Sequence, residues 1–296
     1  MVDLSLLKTE LEPLLLGFRG KVGVSLAYPL SPPSASPQMH LSGDEMFPSA
    51  SLIKVAILCT LMEGVSTGEI DWAEPIPIMA DRAGLRETGG VAYHLRNRTF
   101  LPLCEWIHLM ICMSDNTATV ILKDRIGQSR INAWLHQRHF KVTRVLNGAE
   151  TDILGLREQE QEYGLGVTTP NEMVRLWTMI VREEIASPAA CDRMIRLLSH
   201  QYWDDFLVGQ IPPLVAKANM TGAIEDSRSD IALIVAPLGT YLLSVFTKRQ
   251  QDTRWDWDNE GDTLLRQISR LVWKHHAPGV SWEPPAGSEA FYPISG

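Results

Sequence analysis

Cysteine is scarce in this chain and basic runs are absent, and each shortage removes a class of function. The four cysteines in 296 residues, Cys59, Cys104, Cys112 and Cys191, match no metal-ligand spacing. A chain this long buries enough apolar surface to fold without disulfide staples. Three of the four lie in apolar helical patterns, which predicts buried free thiols rather than a Cys59–Cys112 bridge. No Lys/Arg-rich run accompanies the net charge of −8, which argues against nucleic acid or an anionic membrane as the main partner. No apolar stretch is long enough to span a bilayer. No small-residue cleavage site follows MVDLSLLKTELEPLLLGF, which reads as an amphipathic helix and not a signal peptide. The expectation is a cytoplasmic protein, or a secreted or periplasmic one if a leader precedes this sequence. Oligomeric state is not readable from the sequence.

With 45% hydrophobic content, the chain can build one large core or two packed lobes. After the first helix, GKVGVSLAYPL (20–30) is β-rich and ends in the turn-forming run SPPSASP (31–37), and MHLSGDEMF (39–47) can return as a second strand. From Ser51 to about Ser199 the apolar period is helical, as in LIKVAILCTLMEGV, LCEWIHLMICM and TPNEMVRLWTMIVREEI. Thr169 with Pro170 marks one helix start. Strands resume at 214–225, 230–237 and 240–248, the last two joined by a hairpin, before a final helix over 263–276. This order is no βαβ repeat. It predicts an α+β fold, one mainly antiparallel sheet built from both chain ends with an all-helical lobe inserted between its strands.

Two motifs carry the chemistry. PSASLIKVAIL (48–58) sets Ser51 and Lys54 one turn apart on a helix face, so an amine can reach a hydroxyl and accept its proton. Ser51 also stands at a helix start, where free N–H groups favour developing negative charge. Taken alone, Ser51 is as simply an N-cap serine beside a solvated lysine, and Ser5–Lys8 repeats the spacing. MSDNTATVIL (113–122) then places Ser114, Asp115 and Asn116 after an apolar helix. The triplet can be a plain helix cap. Its functional reading has Ser114 relaying a proton to the leaving group while Asn116 holds the substrate or Lys54.

A third element, Met220-Thr221-Gly222-Ala223, follows with Glu225 and Arg228. The ordered set resembles the penicillin-recognising serine hydrolases, specifically the class A β-lactamase-like group with motifs S-x-x-K, S-D-N and K-T-G. FPSASLIKVAIL, MSDNTATVIL, VTTPNEMVRLW, QIPPLVAKANMTG and SRSDIALIV carry the likeness, which spans most of the chain. It implies a β-lactamase/DD-peptidase-like fold with an antiparallel five-stranded sheet flanked by helices. That would be one domain over 1–296, its sheet lobe about 1–48 plus 206–296 and its helical lobe about 49–205. The resemblance makes Ser51 the nucleophile, Lys54 its proton partner, and Ser114 and Asn116 the second-motif pair. Thr221, with Gly222, would contact a substrate carboxylate, and the N–H groups of Ser51 and Ala223 would form an oxyanion hole. It implies no cofactor and no metal, and a small-molecule acyl substrate.

The chain departs from that group twice. Met220 stands where the group carries the lysine that helps bind the substrate carboxylate and keeps the site positive. Lys217, three residues away on a strand, points to the opposite face and cannot replace it. Arg228 is expected as the substitute, with apolar packing of Met220 and a neutral substrate as the alternative. The second departure lies in LGLREQEQEYGLGVTTP (154–170), where the group has a glutamate and then an asparagine to activate the hydrolytic water. Glu162 is the best-placed acid, and Gly166 takes the place of the asparagine. Glu158, Glu160 and Glu162 also suit an ordinary solvated acidic segment.

Lesser signals carry less. DWDNEGD (256–262) has the acids and glycine of a calcium-loop start but lacks its final acid, Gln267 standing there, so a polar turn with Asp262 capping the last helix is expected. His136 and His139 share a helix face without a third ligand and read as solvated. Trp255 and Trp257 read as packing. The sequence thus predicts a serine hydrolase in which Ser51 is acylated by a lactam, amide or ester and deacylated by water. The alternatives are a cytoplasmic amidase, esterase or acyltransferase on a metabolite lacking the usual carboxylate, and a non-hydrolytic ligand-binding relative.

Overall fold

The computed structural model describes residues 2–32, 38–78, 90–95, 100–280 and 282–291. In chain order, helix α1 (Leu4–Leu16) leads to strands β1 (Lys21–Ala27), β2 (Met39–Leu41) and β3 (Phe47–Pro48) and helix α2 (Lys54–Ser66). Strands β4 (Pro75–Pro77) and β5 (Phe100–Pro102) pair ahead of helices α3 (Leu103–Cys112), α4 (Asn116–Ile126) and α5 (Gln128–Gln137). Then come β6 (Arg144–Val145), α6 (Arg157–Tyr163), β7 (Gly166–Thr168), α7 (Pro170–Val181) and α8 (Pro188–Leu198). Three long strands, β8 (Lys217–Ile224), β9 (Ser227–Ala236) and β10 (Gly239–Lys248), precede α9 (Glu260–His276).

The five-stranded sheet runs β2-β1-β10-β9-β8, antiparallel throughout, so strands from both chain ends interleave as the pattern predicts. Residues alternate between its two faces with period two. In β9, Ile231 and Leu233 enter a core shared with α2, α3, α7 and α8, while Ala232 and Ile234 enter one shared with α1 and α9. Because both faces are covered, β9 is buried almost end to end, and its second half, Ile231–Ala236, is a continuous apolar run. The strand β8, beside the helical lobe, is a sheet edge.

MHLSGDEMF is not one strand. Ser42 takes φ 50° and Glu45 N bonds back to Ser42 O at 3.2 Å, so the chain leaves the main sheet after β2. It then forms β3 in a separate small sheet ordered β3-β7-β6. The Thr169–Pro170 signal holds: Thr169 Oγ1 accepts from Glu172 N at 3.0 Å with Pro170 in the first turn of α7. The last helix starts earlier than expected and its cap is Asn259, not Asp262. Asn259 Oδ1 accepts from Gly261 N at 2.9 Å, which frees Asp262 for an ion pair described below. Cys59 and Cys191 are buried, Cys104 and Cys112 are half-buried, and all four are free thiols. Among the described residues no helix is long and apolar enough to cross a membrane.

Candidate active site

The segment PSASLIKVAIL folds as a 3-10 turn over Ala50–Ile53 that runs into α2 at Lys54. Ala50 takes φ 43°, a left-handed conformation uncommon for a residue with a Cβ. The turn sets Ser51, partly exposed, just ahead of the α2 N-terminus, where unpaired N–H groups and the helix dipole favour negative charge. Capping does not explain this serine: the α2 N-cap is Ile53, and no side chain caps there.

Lys54 is 0% exposed, yet among the described residues its ammonium position has no carboxylate as a direct partner. Nζ donates to Ser114 O at 2.6 Å, Asn116 Oδ1 at 2.8 Å and Ser114 Oγ at 3.0 Å. All three acceptors are neutral. Burial brings the lysine down from its ordinary 10.5 to about 7, and the nearby Asp115 carboxylate opposes that shift. The result is an amine that exchanges a proton near neutrality, in hydrogen-bond contact with a second hydroxyl.

The S-D-N triplet divides its work. Asp115 is the α4 N-cap, accepting from Ala118 N at 2.8 Å, and its other oxygen accepts from Ala92 N at 2.9 Å. The flanking Ser114 and Asn116 are the residues that meet Lys54. Ser114 takes φ 54°, the second left-handed non-glycine residue at this site. Asp115 is thus the cap, while the residues on either side of it contact Lys54.

Strand β8 closes the other side. Gly222 packs on the Ser51 turn so tightly that an added Cβ would lie 2.6 Å from Leu52 Cδ1 and 3.0 Å from Ser49 O. Only a glycine permits that approach, and it brings Thr221 and Ala223 beside the Ser51 turn. Met220 lies on the opposite face from Thr221, fully buried in the helical-lobe core. Lys217 is turned away, its Nζ 3.3 Å from Pro212 O.

Arg228 does not stand in for the missing lysine, correcting the sequence expectation. Its side chain is 1% exposed, with Nε 3.1 Å from Asp262 Oδ1. Its Nη1 donates to Ile224 O and to Ser227 O at 3.0 Å, and Nη2 to Arg254 O at 2.9 Å. Trp255 covers the guanidinium at 4.2 Å. Strand alternation does place Arg228 on the same face as Thr221, through the pairs Thr221–Asp230 and Ala223–Arg228. Burial and the Asp262 pair then hold it against α9, while the Ile224, Ser227 and Arg254 carbonyls accept from its guanidinium.

Glu162 is exposed on α6, its carboxylate beside the Tyr163 hydroxyl. The acid turned inward is Glu160, which accepts from Asn147 Nδ2 at 2.6 Å and pairs with Arg157. Asn147 in turn accepts from the buried Lys123 Nζ, at 2.6 Å on its carbonyl and 3.0 Å on Oδ1. No sequence signal marked this chain of contacts, because Lys123, Asn147 and Glu160 come together only through the fold. At Gly166 an added Cβ would lie 2.7 Å from Ser49 Oγ and 2.9 Å from Ile53 Cγ1, so no asparagine side chain fits there.

Comparison with known proteins places this geometry. A sequence profile of the Beta-lactamase enzyme family matches residues 6–276. No curated protein sequence matches the chain. Among solved structures, a β-lactamase from Sphaerobacter thermophilus superposes with TM-score 0.77 at 21% identity, covering 93% of this chain and 98% of its own. A β-lactamase from Chitinophaga pinensis gives TM-score 0.78 at 19% identity, covering 90% and 98%. A mutant of PBP-A, described as an acyl-enzyme complex with penicillin G, gives 0.75 at 24%, covering 92% and 96%. These structures share the fold, and the profile spans nearly the whole sequence. The chain therefore belongs to the Beta-lactamase enzyme family and is a serine hydrolase of the β-lactamase type.

Proposed function

We propose that Ser51 is the nucleophile and Lys54 the base that activates it. One observation carries the reading: a fully buried lysine amine, brought to about 7, hydrogen-bonded to the Ser114 hydroxyl and the Asn116 amide. Ser51 Oγ attacks a lactam, amide or ester carbonyl as its proton passes to Lys54 Nζ. The developing oxyanion is held by the N–H groups of Ser51 and Ala223, the first favoured by the α2 N-terminus. The C–N or C–O bond then breaks while Ser114, in contact with Lys54, hands a proton to the leaving atom. Asn116 keeps Lys54 in place and faces the substrate, and Thr221 and Gly222 border it along the edge of β8.

Water must then release the acyl group. Glu160 is engaged by Asn147 and Arg157, so we assign the water-activating step to Glu162. An exposed carboxylate without an asparagine partner is a weak base for this purpose, and the reading includes slow deacylation and an accumulating acyl-enzyme.

A second reading is favoured by Met220: an amidase, esterase or acyltransferase on a small metabolite without a carboxylate. Neither Lys217 nor Arg228 supplies the cation that a carboxylate would seek.

The test is intact-protein mass after incubation with penicillin and with a neutral activated ester, beside Ser51→Ala. A covalent adduct present in the native protein and missing in the variant is expected. No adduct with either reagent would remove Ser51 as nucleophile.

A further inference from the structure

Three consecutive residues between α8 and β8 fasten three consecutive carbonyls at the end of α3. Gln201 Nε2 donates to Ile111 O at 2.7 Å, Tyr202 N to Cys112 O at 2.8 Å, and the Trp203 indole N–H to Met113 O at 3.1 Å. The last carbonyls of a helix have no partner within it, and here a separate segment supplies the donors. The next residue is Ser114. The bracket therefore fixes the end of the helix that delivers the second-motif hydroxyl.

The other side of the bracket is tied to β8. Asn219 Nδ2 donates to Trp203 O at 3.0 Å, and Gln201 Nε2 lies 3.5 Å from Met220 Sδ, a weak acceptor. Gln201 thus joins the approach to Ser114 to the one strand position where lysine gives way to methionine. Its Oε1 is buried with no hydrogen-bond partner among the described residues. The amide is held by its donor end alone, and the orphaned oxygen is an unfavourable feature kept alongside that contact.

We propose that Gln201 is a positioning residue, a neutral bridge between β8 and the Ser114 turn where the motif would put a cation, and that the site selects acyl substrates without a carboxylate. This rests on the serine-hydrolase reading above. A lysine at 220 beside Gln201 would set an ammonium against an amide N–H in an apolar core. Removing the glutamine gives that ammonium room and leaves the Ile111 carbonyl to accept from it. The two positions should therefore be strongly coupled.

The experiment measures kcat and KM for a chromogenic cephalosporin and for its methyl ester in the native protein, Gln201→Ala, Met220→Lys, the double variant and Ser51→Ala. The native protein should use the ester at least as well as the acid. Gln201→Ala should lower kcat about tenfold on both with little change in KM. The double variant should shift preference toward the acid by about tenfold, through KM, and exceed the product of the single effects by a similar factor. Multiplicative single effects with an unchanged acid-to-ester ratio would overturn the proposal, since a merely structural glutamine would give that result. A native preference for the acid of tenfold or more would also overturn it. Turnover equal to that of Ser51→Ala on both substrates would overturn the underlying reading and this proposal together.

Discussion

Lys54 and Arg228 are both cationic side chains removed from water, at 0% and 1% exposure, and their surroundings give them opposite work. Lys54 is met by a carbonyl, a hydroxyl and an amide oxygen, with no carboxylate in direct contact among the described residues. Without a counter-charge at bonding distance, burial disfavours the ammonium and the amine becomes a proton acceptor near neutrality. Arg228 is met by the equally buried Asp262, three carbonyls and an indole face. That set compensates the charge, which makes the arginine a fastener between β9 and α9. Burial alone does not mark a functional cation. What decides is whether the partner is charged.

The sharpest way to separate the two is to make both methionine. Lys54→Met should cut kcat/KM on an acylating substrate by about 10³-fold, within the range expected when a positioned base is lost. Its folding stability should stay within about 1 kcal/mol of the native protein, since Ser114 and Asn116 are partly exposed and can turn to water. Arg228→Met should do the reverse, destabilising by about 3–5 kcal/mol in urea unfolding because a buried ion pair is broken. A stable Arg228→Met that had lost activity would break the comparison.

Smaller effects sharpen it. Glu162→Gln should leave Ser51 acylation unchanged and lengthen the life of the adduct by about 10²-fold, read by mass against time. An unaltered lifetime would move the deacylating step to another group. Ala50→Gly relieves a left-handed Cβ at φ 43° and should stabilise the fold by about 0.5 kcal/mol, checked by thermal unfolding. A matching loss of acylation rate would show that the kink positions Ser51.

Much of this was legible in the sequence, because it depends on periodicity and on local spacing. Short apolar runs bounded by turn residues marked β8, β9 and β10, and the order of elements implied a sheet drawn from both chain ends. The pairing of Lys54 with Ser114 and Asn116 follows from two short motifs on helix starts. What sequence reasoning missed depends on distant partners. Strand alternation puts Arg228 on the Thr221 face but says nothing of Asp262 waiting on α9. The split of 39–47 hinges on one serine in a left-handed conformation. Gln201 sits in an irregular stretch with no period, and its contacts to Ile111 and Met220 exist only once α3 and β8 are side by side.

The central claim is that Lys54 gives up its proton near neutrality and serves Ser51 as base, and the pH dependence of Ser51 acylation tests it most directly. Stopped-flow acylation of the native protein should rise with pH and level off above about 7, following deprotonation of Lys54. That limb should vanish in Lys54→Met. A rate still climbing toward the ordinary lysine value of 10.5, or a limb near 7 that survives the loss of the lysine, would contradict the account.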